Sequence, residues 1–170
     1  MKPRVSIIMG STSDMKIMEQ AAQFFNEMQI PFEINALSAH RVPEMVVEFA
    51  KNAHARGIEV IIAAAGGAAH LPGVIAALTP LPVIGVPIKS SNSIDGWDSM
   101  LSILQMPAGI PVATVALDGS KNAAILAMQI LGTADKEIFA KMVKFKAELA
   151  EKIAKANKDL AEIKFEYKTN

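Results

Sequence analysis

Residues 4–15 read RVSIIMGSTSDM. The apolar run at 5–9 ends directly in Gly10, followed by Ser11, Thr12, Ser13 and Asp14. A continuous apolar run without alternation suits a strand covered on both faces, as in a parallel sheet. A strand that leaves through glycine into small polar residues suits a turn feeding a helix, whose free amides can hold an anion. Further strands are expected at 32–37, 59–64, 82–86 and 112–116, and these runs are mostly continuous rather than alternating. Helical patterns fill the gaps. Ile17, Ala21, Phe24, Phe25 and Met28 recur at helical spacing, and Pro43 stands as a first helical residue ahead of Met45, Val46, Phe49 and Ala50. Residues 71–78, 97–104 and 122–131 predict three more helices. This alternation predicts a doubly wound α/β domain with a parallel five-stranded sheet and right-handed crossovers.

The tail differs. Ile138, Met142, Phe145, Leu149, Ile153, Ala156, Leu160 and Ile163 are spaced by three or four, with lysines and glutamates between. One helix over that span is about 40 Å long, more than one side of a compact domain needs. It is either a broken helix packed on its own domain or a long C-terminal helix reaching over a neighbouring subunit, and the apolar composition favours the second. We therefore divide the chain into a nucleotide-binding catalytic part, 1–134, and a helical extension of the same domain, 135–170.

Composition limits the function. With 170 residues, 51% hydrophobic and 20% charged, the chain can bury an ample single core. The longest uncharged stretch, 60–88, is broken by prolines and glycines and does not read as a membrane helix. The N-terminus lacks a secretory pattern, so a cytoplasmic location is expected. The net charge is zero and there is no basic stripe, which argues against nucleic acid or a membrane as main partner. The absence of cysteine excludes disulfides, thiolate metal sites and a cysteine nucleophile.

In open α/β sheets ligands bind beyond the carboxyl ends of the strands. The unusual motifs sit there: GSTSD after the first strand, SAHR (38–41) after the second, AGGAAHLPG (65–73) after the third. Gly10 permits a sharp turn, and Ser11 and Ser13 offer hydroxyls. Asp14 would repel a phosphate and suits ribose hydroxyls, unless it merely caps a helix. Arg41 is always charged and can grip a phosphate with two donors, or form a surface salt bridge. His40 can give and take a proton near neutral pH, or be a satisfied core histidine. Gly66 and Gly67 bring backbone close to a ligand, and the alanines leave it room. His70 is either a second acid or donor, or a residue that orients the loop. His54, near a helix C-terminus, reads as surface structure. Carboxylates and histidines are too scattered for a metal site, and no Ser–His–acid arrangement is evident. What remains is a phosphate-anchored small molecule beside one well-placed imidazole.

These motifs, followed by LPVIGVPI, DSMLSILQMPAGIPVATVA and NAAILAMQIL, run in order over 5–131. In them the chain resembles the N5-carboxyaminoimidazole ribonucleotide mutase family of de novo purine synthesis, class I of the phosphoribosylaminoimidazole carboxylase catalytic subunits. The resemblance implies a flavodoxin-like three-layer α/β/α fold, a homo-octamer, a C-terminal helix used in assembly, and no metal or organic cofactor. It implies substrate contacts from Gly10, Ser11, Ser13 and Asp14, with Asp14 on the ribose. It implies a phosphate site at Ser38 and Arg41, a further substrate contact at Ala39, and His40 as acid and then base. The loop Gly66, Gly67, Ala68, His70 and Leu71 would line the pocket where carbon dioxide moves, and the SILQMP segment would wall the site of an adjacent subunit. Two departures stand out: Ala64 where many relatives have glycine, and a short LDGSKN segment at 117–122. Both are expected to affect the pocket rim. The alternatives are a direct carboxylase of aminoimidazole ribonucleotide, a non-catalytic flavin or nucleotide module, and a structural assembly subunit.

Overall fold

A computed structural model describes residues 1–170. The elements run β1 (Val5–Met9), α1 (Met15–Glu27), β2 (Phe32–Ala36), α2 (Pro43–Arg56), β3 (Val60–Gly66), α3 (Leu71–Leu78), β4 (Val83–Ile88), α4 (Trp97–Leu104), β5 (Ala113–Thr114), α5 (Ser120–Gly132) and α6 (Lys136–Glu162). All strand pairs are parallel, in the order β2-β1-β3-β4-β5. This is the flavodoxin-like arrangement, with helices on both faces.

The apolar runs are continuous because both faces are covered. Val5, Ile7 and Met9 of β1 join Val60, Ile62 and Ala64 of β3 and Ile84, Val86 and Ile88 of β4 on one face, under α1, α5 and the start of α6. Ile8, Ile61, Ala63, Ala65 and Val83 point the other way, under α2, α3 and α4. Gly85 lets α4 close on β4: a Cβ there would stand 2.5 Å from Ile103 Cγ2. Pro43 begins α2 as expected. Gly57 ends it at φ 98°, its amide turned back onto the Ala53 and His54 carbonyls. His54 is exposed in the last turn.

The edges depart from the sequence reading. β2 is not buried on both faces, and Ile34 is 41% exposed. Its inner polar residue Glu33 accepts hydrogen bonds from Ser6 Oγ (2.9 Å), Asn35 Nδ2 (3.2 Å) and Arg56 Nη2 (3.1 Å). Ser6, buried in the central strand, is thereby satisfied. β5 shrinks to Ala113–Thr114 from the expected 112–116: it is an edge strand paired only with β4, through Ile84 and Gly85.

The broken-helix reading of the tail fails. α6 is one helix of 27 residues. Asp135 caps it, accepting from the Glu137 and Ile138 amides at 3.0 and 3.2 Å, and also pairs with Arg4 at 2.7 Å. Ile138 and Met142 are buried, and Phe145 meets Phe24 edge-on at 5.3 Å. Beyond Phe145 the apolar row of Leu149, Ile153, Leu160 and Ile163 is exposed. Trp97, Leu101 and Leu104 form a similar exposed row on α4. No helix is long and apolar enough to cross a membrane.

Candidate active site

Chain order reverses between β1 and β3, which opens a crevice at their carboxyl ends. Met9 lies in register with Ala36 on one side and Ala64 on the other. The three chains that leave here are therefore neighbours. Their residues line a cavity of about 210 Å³: Gly10, Ser11, Ser13 and Asp14, then Ser38, Ala39, His40 and Arg41, then Ala65, Gly66, Ala69, His70 and Leu71. Ser90 and Asn92, after β4, complete it.

The first corner separates capping from binding. Ser11 Oγ accepts from the Ser13 amide at 3.3 Å and so caps the short 3-10 turn Thr12–Asp14. Asp14 stands at the N-cap position of α1 but makes no side-chain cap bond. It is only 6% exposed, and Ser13 Oγ donates to its Oδ1 at 3.2 Å. Burial raises its carboxyl pKa above the ordinary 3.8, against opposing hydrogen bonds from Ser13 and the Ser11 backbone. A carboxyl whose pKa is higher folded than unfolded takes up protons on folding between the two values. Stability then falls as pH rises from 3.8 through the folded pKa, and above that the cost is fully present. Asp14→Asn should resist urea better than wild type at pH 7 and lose that advantage near pH 4, while nucleotide binding weakens. Equal stability at pH 7 would contradict this account.

At the second corner Arg41 Nη2 donates to the Gly10 carbonyl at 2.7 Å, which ties the second loop to the first. His40 Nε2 lies 2.7 Å from His70 Nδ1, with ring centroids 4.9 Å apart and planes at 82°. Both rings are exposed, so neither is a buried core histidine.

At the third corner Gly66 is held by proximity. A Cβ there would clash with the Ser90 hydroxyl, with Ser90 Cβ at 2.6 Å and with the Ile88 carbonyl at 3.0 Å. Gly66→Ala should cost about 1–3 kcal/mol, at about 2–4 °C in Tm per kcal/mol for a chain of this size. It should also raise KM by pushing Ser90 and Asn92 off the cavity wall. Thermal unfolding and steady-state kinetics on one preparation check both. Gly67 and Ala68 fall outside the cavity wall. Gly67 turns away at φ 59°, its amide on Ser93 Oγ at 3.3 Å, and Ala68 faces solvent. Ala65 and Ala69 stand in the wall instead.

Ser90 and Asn92 were absent from the sequence reading. Their signal was available, because KSSNS follows a buried strand as GSTSD does. No Phe, Trp or Tyr lines the cavity. Trp97 is 61% and Tyr167 87% exposed, away from it, so nothing here resembles a flavin-stacking wall.

The AIR carboxylase family matches residues 4–152. The chain belongs to that family. It is 56% identical over 165 residues to the N5-carboxyaminoimidazole ribonucleotide mutase of Pyrococcus horikoshii, covering 97% of this chain and 93% of that one. It is 53% identical over 161 residues to the Thermotoga maritima protein of the same name, covering 95% and 94%. The crystal structure of Treponema denticola PurE matches with a TM-score of 0.82 at 33% identity, over 93% of this chain and 98% of that one.

Both departures noted within this AIR carboxylase chain fall away from the cavity. Ala64 is fully buried in the core face under α1 and α5, while its neighbour Ala65 faces the cavity. No residue of 117–122 lines the cavity. That segment ties the loop after β4 and helix α1: Asp118 Oδ1 accepts from the Lys89 amide at 3.0 Å, and Ser120 Oγ donates to the Ile17 carbonyl at 2.5 Å.

Proposed function

We propose that this chain is an N5-carboxyaminoimidazole ribonucleotide mutase, an isomerase of purine biosynthesis. The reading is carried by one observation: in an AIR carboxylase chain, a guanidinium, a buried carboxylate and an imidazole line one small cleft at the strand switch. Relatives that match nearly the whole chain carry the mutase name.

The reaction moves a carboxylate from the exocyclic nitrogen of the aminoimidazole to ring carbon C4. Breaking the N–C bond releases carbon dioxide and requires a proton on nitrogen. Forming the bond at C4 requires loss of the C4 proton. The net proton change is zero, so one imidazole, His40, acts as acid and then as base. Arg41 and Ser38 hold the phosphate, and Asp14 takes the ribose hydroxyls with Ser11 and Ser13 beside it. Phosphate binding far from the reacting atoms supplies energy that aligns them. Carbon dioxide stays beside C4 because the glycine and alanine wall leaves a small space close to the ring.

The assignment extends to assembly. The cavity of about 210 Å³ is below the roughly 300–1,000 Å³ usual for ligand sites, which fits a site completed by other copies. The exposed rows on α4 and α6 suit contacts between copies in a homo-octamer. The α6 extension belongs to that assembly, and the enzyme works in the cytoplasm.

The test is a substrate comparison. Purified protein receives fresh N5-carboxyaminoimidazole ribonucleotide, or aminoimidazole ribonucleotide with bicarbonate, and the C4-carboxylated product is followed by absorbance. Fast product from the first alone is expected. Fast product from the second alone would make the chain a carboxylase using the same site.

A further inference from the structure

The bond between His40 and His70 joins residues 30 positions apart, and it is the one side-chain hydrogen bond either ring makes. His40 sits in the loop after β2, exposed, with nothing else to fix its ring. His70 is better anchored. It stands at the N-cap position of α3, its carbonyl accepts from the Val74 amide at 3.0 Å, and Ala69 before it holds φ 47°. Its side chain makes no capping bond to the helix, so the imidazole is committed to His40 and not to shaping the loop. Asp14 and Arg41 also line the cavity, and Arg41 is engaged with the Gly10 carbonyl.

We infer that His70 is a positioning residue: its Nδ1 accepts the Nε2–H of His40, so that the exchanging proton of His40 is carried on Nδ1. This deepens the mutase reading and rests on it for its kinetic part. An N···N hydrogen bond holds one proton. With His40 as donor, charged His40 carries protons on both nitrogens and releases the one on Nδ1 to the substrate nitrogen as the N–C bond breaks. The neutral ring left behind keeps Nε2–H on His70 and offers a bare Nδ1, which takes the C4 proton after carboxylation. Acid and base halves then run from one ring orientation, with no flip and no tautomer exchange. In the reverse arrangement, His70 donating, neutral His40 holds its one proton on Nδ1, and giving it away without forming an imidazolate requires a second proton to cross from His70. Only the first arrangement lets His40 carry the cycle by itself, and a partner that fixes a catalytic histidine's tautomer is a known source of rate.

The test uses His70→Leu and His70→Asn in the full-length protein. The asparagine amide oxygen can stand near the place of Nδ1 and accept the bond, whereas leucine cannot. His70→Leu should lower kcat by at least about 10-fold with little change in KM, and His70→Asn should recover most of it. Equal losses in both, an unchanged kcat in His70→Leu, or a loss confined to KM would overturn the role. Independently of turnover, ¹⁵N ring spectra should show neutral His40 as the Nε2–H tautomer in wild type and His70→Asn, and as a mixture in His70→Leu. An Nδ1–H form in wild type overturns the inference, even if leucine prevents folding. Wild type with this tautomer but no mutase turnover would remove the mutase reading alone.

Discussion

His40→Ala is expected to lower turnover of N5-carboxyaminoimidazole ribonucleotide by about 10²–10⁴-fold, the usual worth of a positioned acid–base group. Nucleotide affinity should stay near that of wild type. The two effects separate because of where His40 stands. It is exposed at the rim of the cleft, and its only side-chain bond is to His70. Removing it leaves the Gly10–Asp14 turn and the Arg41 contact to the Gly10 carbonyl untouched. Exposure also means that little stability is lost. Titration calorimetry with the product nucleotide, beside steady-state kinetics, checks both halves. Wild-type turnover in the variant would remove His40 from the chemistry, and lost affinity would make it a binding residue.

Arg41→Ala should do the opposite. A hydrogen bond to a charged group is worth about 1.5–3 kcal/mol, so nucleotide affinity should fall about 10–150-fold. The nucleoside lacking the phosphate should bind wild type and variant alike. That control matters because Arg41 also holds the Gly10 carbonyl. If the loss came from a loosened turn, nucleoside and nucleotide would weaken together, and the phosphate assignment would fall.

The fold was legible where burial alone decides it. The expected ranges 71–78 and 97–104 are those of α3 and α4, and β1 keeps the bounds read for it. Both edges differ from the sequence expectation for one reason. A buried strand is recognised by its side chains, but an edge is defined by what fails to pair with it. Glu33 and Asn35 in β2 were the trace of that edge in the sequence. In the site, three corners were legible because small polar motifs stood at strand ends. The fourth, Ser90 and Asn92, followed the same rule. The contacts that organise the corners were not legible. Arg41 to the Gly10 carbonyl spans 31 positions and His40 to His70 spans 30, and no local pattern encodes a distance through space. Ala64 shows the same limit. Next to a glycine turn it read as part of the rim, but the alternation of the strand turns its methyl into the core.

The second half of α6 has a further consequence. After Phe145 its residues touch almost nothing of their own domain and remain exposed to the end. The domain's stability therefore places no demand on the sequence there, and that stretch is free to answer to whatever surrounds the protein. Its backbone amides become a gauge. In dilute protein they should exchange with deuterium far faster than those of α5, and rising concentration should slow only them if copies close over the exposed row.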